Sequence, residues 1–303
     1  MATTKQRVSD EQRRQVLELR RKHSLREVAE ATGLPLGTVK TIVSRSGAFR
    51  DNAQHRALFT LPPVREAAET LPAEAPELPP QEVVTGDREL DAVLWLRGVI
   101  TTGNAAMIAK ALEAAKRITT PADTLEKRYA QYLATTTAHP LQAALGSFGF
   151  ADLEALAGKT IRQRALAAEA EARFGETLFI NTAAEDFAFD TLASLNVRVI
   201  RYDEFAAEVA SRFRAHPALM PNTLADCLHE LDYWSRLYWL RHAVSRDFDD
   251  LPEITARKWF VEGLLGEIRP RSREEAKAVF RHLLDGGRGS QEVENAIIEN
   301  LLG

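Results

Sequence analysis

Lys40, Thr41, Ser44 and Arg45, together with Leu36, Gly37 and Thr38, are the residues of this sequence whose types and spacing carry the clearest chemistry. Lysine donates to guanine O6 or N7, threonine and serine hydrogen-bond to base edges, and a threonine methyl can rest on that of thymine. Arginine reaches either a base or a phosphate. Such a set reads double-stranded DNA only if one rigid element presents it together. A second set consists of oxygen donors: Asn181, Thr182, Glu185 and Asp186, then Tyr202, Asp203 and Glu204. Converging carboxylates could hold Mg²⁺ for nucleic-acid cleavage. The charged members are also what helix starts require: Thr182 with Glu185 makes a capping box, and Asp203 and Glu204 complement a helix dipole. The capping reading needs no ligand and is preferred, so no metal, no cofactor and no catalytic residue is assigned.

The elements that must position the first set are legible around it. Ser24 followed by Glu27 is a capping box, which starts a helix at Leu25 with Leu25, Val28 and Ala29 on its apolar face. Gly33 can take positive φ and end that helix sharply, and Pro35 fixes φ at the entrance of the next. There Leu36, Val39, Ile42 and Val43 recur at helical spacing, which leaves Gly37, Thr38, Lys40, Thr41, Ser44 and Arg45 on or near the opposite face. Upstream, Ser9 with Gln12 predicts a further capped helix to about Lys22, with Val16, Leu17 and Leu19 available for packing. Two short helices joined by a glycine turn, the second with a small basic outer face, are the pattern of a helix-turn-helix. Residues 8–46 resemble the recognition segment of bacterial helix-turn-helix DNA-binding proteins of regulator, resolvase and transposase type. The resemblance implies a trihelical unit whose last helix enters the major groove. The polar arm before it carries Lys5 and Arg7, which could lie in the adjacent minor groove.

Charge follows the same division. Residues 1–50 hold eleven basic and five acidic side chains, a net +6; since the whole chain is −4, the remainder is −10. A basic head on an acidic body is the footprint expected when one end meets phosphate. The single cysteine, Cys227, rules out an intramolecular disulfide and fits a reducing cytoplasm. No run of about 18 apolar residues occurs and the N-terminus is polar, so neither a membrane span nor a signal peptide is expected. Thirty arginines against nine lysines suggest a GC-rich bacterial genome. The histidines lack metal-ligand spacing, and the glycine-rich 285–290 segment lacks the Lys-Ser/Thr of a phosphate loop.

The fold class expected is mainly α, in three parts. Residues 1–61 form the DNA-binding head, whose stretch 47–61 reads either as the wing of a winged helix or as an irregular exit strand. Residues 62–88 are rich in Pro, Glu and Ala and read as a flexible linker. Residues 89–303 form a larger, mostly helical body for oligomerisation, partner binding or effector response. Within it Glu176–Ile180 and Val197–Arg201 read as two strands flanking a helix begun by Thr182. The aromatic segment 231–240 reads as a central core helix, with a dimer contact as its functional alternative. The terminal apolar residues Val293, Ile297, Ile298, Leu301 and Leu302 offer another surface.

These observations point to sequence-specific binding of double-stranded DNA, in transcriptional regulation or in plasmid or phage maintenance. The expected partners are duplex DNA, a second copy in a homodimer or higher homo-oligomer, and a protein partner through the helical body. Two alternatives stay open: a mobile-element recombinase or nuclease with a metal-dependent body, and a DNA-packaging or replication adaptor.

Overall fold

The computed structural model describes residues 8–47, 49–65, 78–136, 146–195, 197, 202–286 and 291–302. The protein is mainly helical, and no strand occurs among the described residues. No helix among them is long and apolar enough to cross a membrane. The chain forms two compact units: Met1–Pro62 with Phe179–His242 and Asp247–Gly303, and Pro63–Leu178 with Ala243–Arg246.

The first unit begins with three short helices, α1 (Asp10–Lys22), α2 (Leu25–Thr32) and α3 (Leu36–Ser46). Both expected capping boxes are present: Ser9 with Gln12 opens α1, and Ser24 with Glu27 opens α2. Gly33 ends α2 at φ +66°, a left-handed conformation that side chains with a Cβ disfavour. Val16, Val28 and Val39, one from each helix, are wholly buried against one another. A fourth helix, α4 (Ala53–Leu58), is capped by the Asn52 side chain, which accepts from the amides of Gln54 and His55. This replaces the expected wing or exit strand. The helix prevails because Asn52 satisfies its first turn and the helix buries His55 and, just beyond its end, Phe59.

The second unit holds α5 (Arg88–Thr101), α6 (Ala105–Ala115), α7 (Ala122–Thr136) and α8 (Leu153–Phe174). Helix α5 is the hub, with Leu90, Val93, Leu96, Val99 and Ile100 buried against the other three. The end of the proline-rich segment is fastened here. The Trp95 indole donates to the Pro79 carbonyl at 2.8 Å, and Asp91 accepts from the Val84 and Thr85 amides at 3.2 and 2.7 Å. The middle of that segment, 66–77, lies outside the described residues.

The remaining helices return to the first unit: α9 (Ala183–Leu192), α10 (Tyr202–Arg214), α11 (Leu224–Val244), α12 (Pro252–Glu267), α13 (Arg273–Leu284) and α14 (Gln291–Leu302). The expected strand-helix-strand element is not seen. Its first strand is a 3-10 turn, Gly175–Thr177, ended by bends that leave Phe179 and Ile180 exposed. The Thr177 hydroxyl donates back to the Phe174 carbonyl, so this stretch completes the end of α8. Of the second strand only Val197 is described, and it is in no strand. Helix α11 is the core helix expected from its aromatics: Leu231, Tyr233, Trp234, Leu237 and Leu240 are buried inside the chain. That burial removes most of the segment as a contact for another copy and leaves Trp239 as its exposed aromatic. Helix α14 lies along α12, where a Cβ on Gly266 would stand 3.3 Å from that of Ala296, so the close approach depends on glycine. On α14 Ile297 is buried, whereas Ile298 and Leu302 face solvent.

Candidate nucleic-acid interface

Helix α3 has no side-chain cap. Pro35 sets its entry, and the amides of Thr38 and Val39 both bond to the Pro35 carbonyl. Val39 points inward, while Lys40, Thr41, Ser44 and Arg45 are exposed and Leu36 and Thr38 are half-buried. Gly37 is exposed, and a Cβ there would meet no atom within 4 Å. Packing therefore does not demand glycine at this position, and its absent side chain leaves room for an external surface to approach. The Thr41 hydroxyl donates to the Gly37 carbonyl at 2.8 Å and keeps its lone pairs available. Neither Lys40 nor Arg45 forms a salt bridge with a described residue. The seven expected residues from 36 to 45 thus share one helix, and Gly37, Lys40, Thr41, Ser44 and Arg45 among them are exposed. Lys5 and Arg7 lie outside the described residues.

Charge on the flanking helices is less open than the sequence implies. Arg13 pairs with Asp10 at 3.3 Å and Arg14 with Glu11 at 3.4 Å on their own helix. Such exposed pairs contribute at most about 1 kcal/mol. Arg20 lies 5.6 Å over the Phe49 ring and donates to the His23 carbonyl at 2.9 Å. Burial, with the nearby Arg269, holds the Arg20 guanidinium below its ordinary pKa.

The head is held by a polar network that sequence reasoning missed. The backbone amide of Asn52 donates to Asp226 Oδ2 at 2.9 Å, and its side-chain amide donates to the carbonyls of Ala218 and Met220 at 2.9 and 2.8 Å. Arg56 donates to Asp226 at 2.6 Å, and Asp51 meets Arg56, Arg271 and the Thr223 hydroxyl at 3.0, 2.9 and 3.0 Å. Deeper in, Arg257 holds Glu230 with two bonds of 2.6 and 2.8 Å, and His55 Nε2 lies 2.7 Å from the same carboxylate. The Trp234 indole adds a fourth contact at 3.1 Å. Arg257, Glu230 and His55 have no solvent exposure at all. The guanidinium is sandwiched by aromatic rings, nearest Phe213 with its centroid at 4.6 Å. The one local signal was Asn52 as a turn residue, and nothing in the sequence links it to Asp226.

Burial alone would raise the Asp226 carboxyl, but its bonds from Arg56, Asn52 and Asn222 outweigh this and hold it below the usual range. Glu230 behaves alike, with burial outweighed by Arg257 and His55. Groups depressed in the folded state contribute stability that is present above the unfolded carboxylate value, about 4, and lost as pH falls through the lower folded one. The urea midpoint of the protein is therefore expected to hold from neutral pH to about 5 and to drop steadily below about 4. Asp226→Asn should flatten that drop. A midpoint unchanged between pH 6 and pH 3 would contradict the arrangement.

The oxygen donors of the alternative site are engaged structurally. Thr182 and Glu185 form the capping box of α9, and the Glu185 carboxylate accepts two bonds from Arg241 at 2.5 and 2.9 Å. Asp186 and Asp190 border an open cavity of about 410 Å³ with Phe187, Thr191 and His216. Among the described residues no group of three His, Cys, Asp or Glu side chains could hold a metal ion. The Cys227 thiol is buried and pushed well above its ordinary value by burial and by Glu230, which disfavours the nucleophilic thiolate.

No family model, no curated protein and no solved structure matches this chain.

Proposed function

We propose that the protein binds double-stranded DNA sequence-specifically, with α1–α3 acting as a helix-turn-helix and α3 entering the major groove. The observation that carries the reading is the face of α3. It presents Gly37, Lys40, Thr41, Ser44 and Arg45 outward on a helix fixed by a left-handed glycine behind it and buried Val39 beneath it. A helix in the major groove needs small or hydrogen-bonding groups on its leading side and basic ones near the phosphates. The net +6 of residues 1–50 supplies the long-range attraction. Regulation of transcription, or maintenance of a plasmid or phage, is the role that suits such a protein. Because one head of this size buries little surface, two copies per site is the stoichiometry that fits the reading.

Selection of bound duplexes from a random pool by the full chain tests this directly. Enrichment of a defined motif is expected, and its absence at low salt would sink the reading. On the enriched duplex Lys40→Ala should weaken binding by about 1–3 kcal/mol, with a smaller loss on random DNA. Equal loss on both would make Lys40 a phosphate contact, and no loss on either would remove it from the interface.

A further inference from the structure

Phe179, Ile180 and Trp239 are each more than half exposed, at 51, 62 and 51 %. Large apolar groups seldom gather on a solvent-facing surface unless something covers them. These do gather. The Phe179 ring lies 6.1 Å from that of Phe248, Phe248 lies 6.1 Å from Tyr238, and Tyr238 lies 5.4 Å from Trp239. One run of rings therefore joins the segment before α9, the loop between α11 and α12, and the outer side of α11. Its underside is fixed. Buried Arg241 donates to the Ile180 carbonyl at 3.1 Å and to Glu185, and its guanidinium lies 5.3 Å from the centroid of the Phe248 ring. Side chains held in this way lose little freedom when a partner arrives.

The rim of this face is acidic. Residues 247–253 read Asp-Phe-Asp-Asp-Leu-Pro-Glu, with four carboxylates and no basic side chain. Asp250 is paired with Lys258 at 3.0 Å. Asp247 and Asp249, on either side of Phe248, are exposed and form no salt bridge with a described residue. Their charge selects the occupant. Carboxylates beside the rings repel phosphate, which disfavours base stacking of a nucleic acid on these aromatics. A second copy seated here by two-fold symmetry would set the same acidic rim against itself. A basic amphipathic segment meets neither cost: its aliphatic side chains cover Phe179 and Ile180, and its cations reach Asp247, Asp249 and the face of Trp239.

We propose that this aromatic face docks another protein, through an amphipathic helix of that protein with aliphatic side chains on one side and Lys or Arg beside them. The proposal goes beyond DNA binding and does not rest on the reading of α3. Trp239 and Phe179 are the apolar anchors, because aromatic side chains carry most of the energy of such contacts. Asp247 and Asp249 supply the attraction and exclude an acidic competitor.

The test uses the full chain and a fluorescein-labelled peptide of about 18 residues, leucine and lysine patterned as an amphipathic helix, with a leucine and glutamate peptide of the same pattern as its counterpart. Fluorescence anisotropy should report binding of the lysine peptide and at least about tenfold weaker binding of the glutamate one. Trp239→Ala should weaken the lysine peptide about tenfold, and Phe179→Ala, at the other end of the run of rings, should weaken it as well. Asp247→Asn combined with Asp249→Asn should cost about threefold at low salt and flatten the salt dependence. All four side chains are exposed, so these variants should keep the circular dichroism of the parent. Equal binding of the two peptides, or parent affinity in Phe179→Ala and Trp239→Ala, would overturn the proposal. A dimer in sedimentation that Trp239→Ala dissociates would overturn it too, because the occupant would then be a second copy.

Discussion

Arg257→Ala is expected to destabilise the protein by about 3–5 kcal/mol, because it leaves the Glu230 carboxylate buried beside His55 and Trp234 without its cation. Urea unfolding followed by tryptophan emission measures the loss, since Trp234 touches the same carboxylate. The cost belongs to the stranded charge more than to the lost attraction. Adding Glu230→Gln to Arg257→Met, which removes both charges and keeps the volume, should therefore recover most of the stability lost in Arg257→Met alone. A loss under about 1 kcal/mol in Arg257→Ala would mean that water or another cation reaches Glu230.

Val39→Asp is expected to abolish duplex binding, with affinity falling more than about a hundredfold, while most of the chain stays folded. Val39 is wholly buried in a core of three valines. An unpaired carboxylate there costs several kcal/mol, comparable to all that so small a core supplies. None of the four tryptophans lies in residues 1–62, and Trp234 meets that segment at Phe59, beyond α1–α3, so their emission reports whether the remainder stays folded. Unaltered emission with lost binding is the expected outcome. Retained binding by Val39→Asp would show that α3 is not the reading element.

Much of this architecture is local and was legible. The capping boxes Ser9 with Gln12, Ser24 with Glu27 and Thr182 with Glu185 stand where the sequence placed them. A cap is satisfied within three or four residues, so a sequence window contains all of it. The two errors of secondary structure share a cause. Residues 53–58 and 176–180 are stretches too short for periodicity to separate strand from helix, and tertiary burial of His55 and Phe59 decided the first in favour of helix.

What the sequence determined by itself is therefore the helical class, the three-helix head and the outward set on α3 from Gly37 to Arg45, because spacing of 3.6 residues fixes which side chains share a face. What only the tertiary structure decided is what the head rests on. Asn52 meets Asp226 across 174 positions, His55 meets Glu230 across 175, and Arg271 reaches back to Asp51. No periodicity connects such positions. In the sequence Asp226, Glu230 and Arg257 look like ordinary charges of solvated helix faces; burial turns them into an anchor, because a charge removed from water must find its partner wherever the fold brings one.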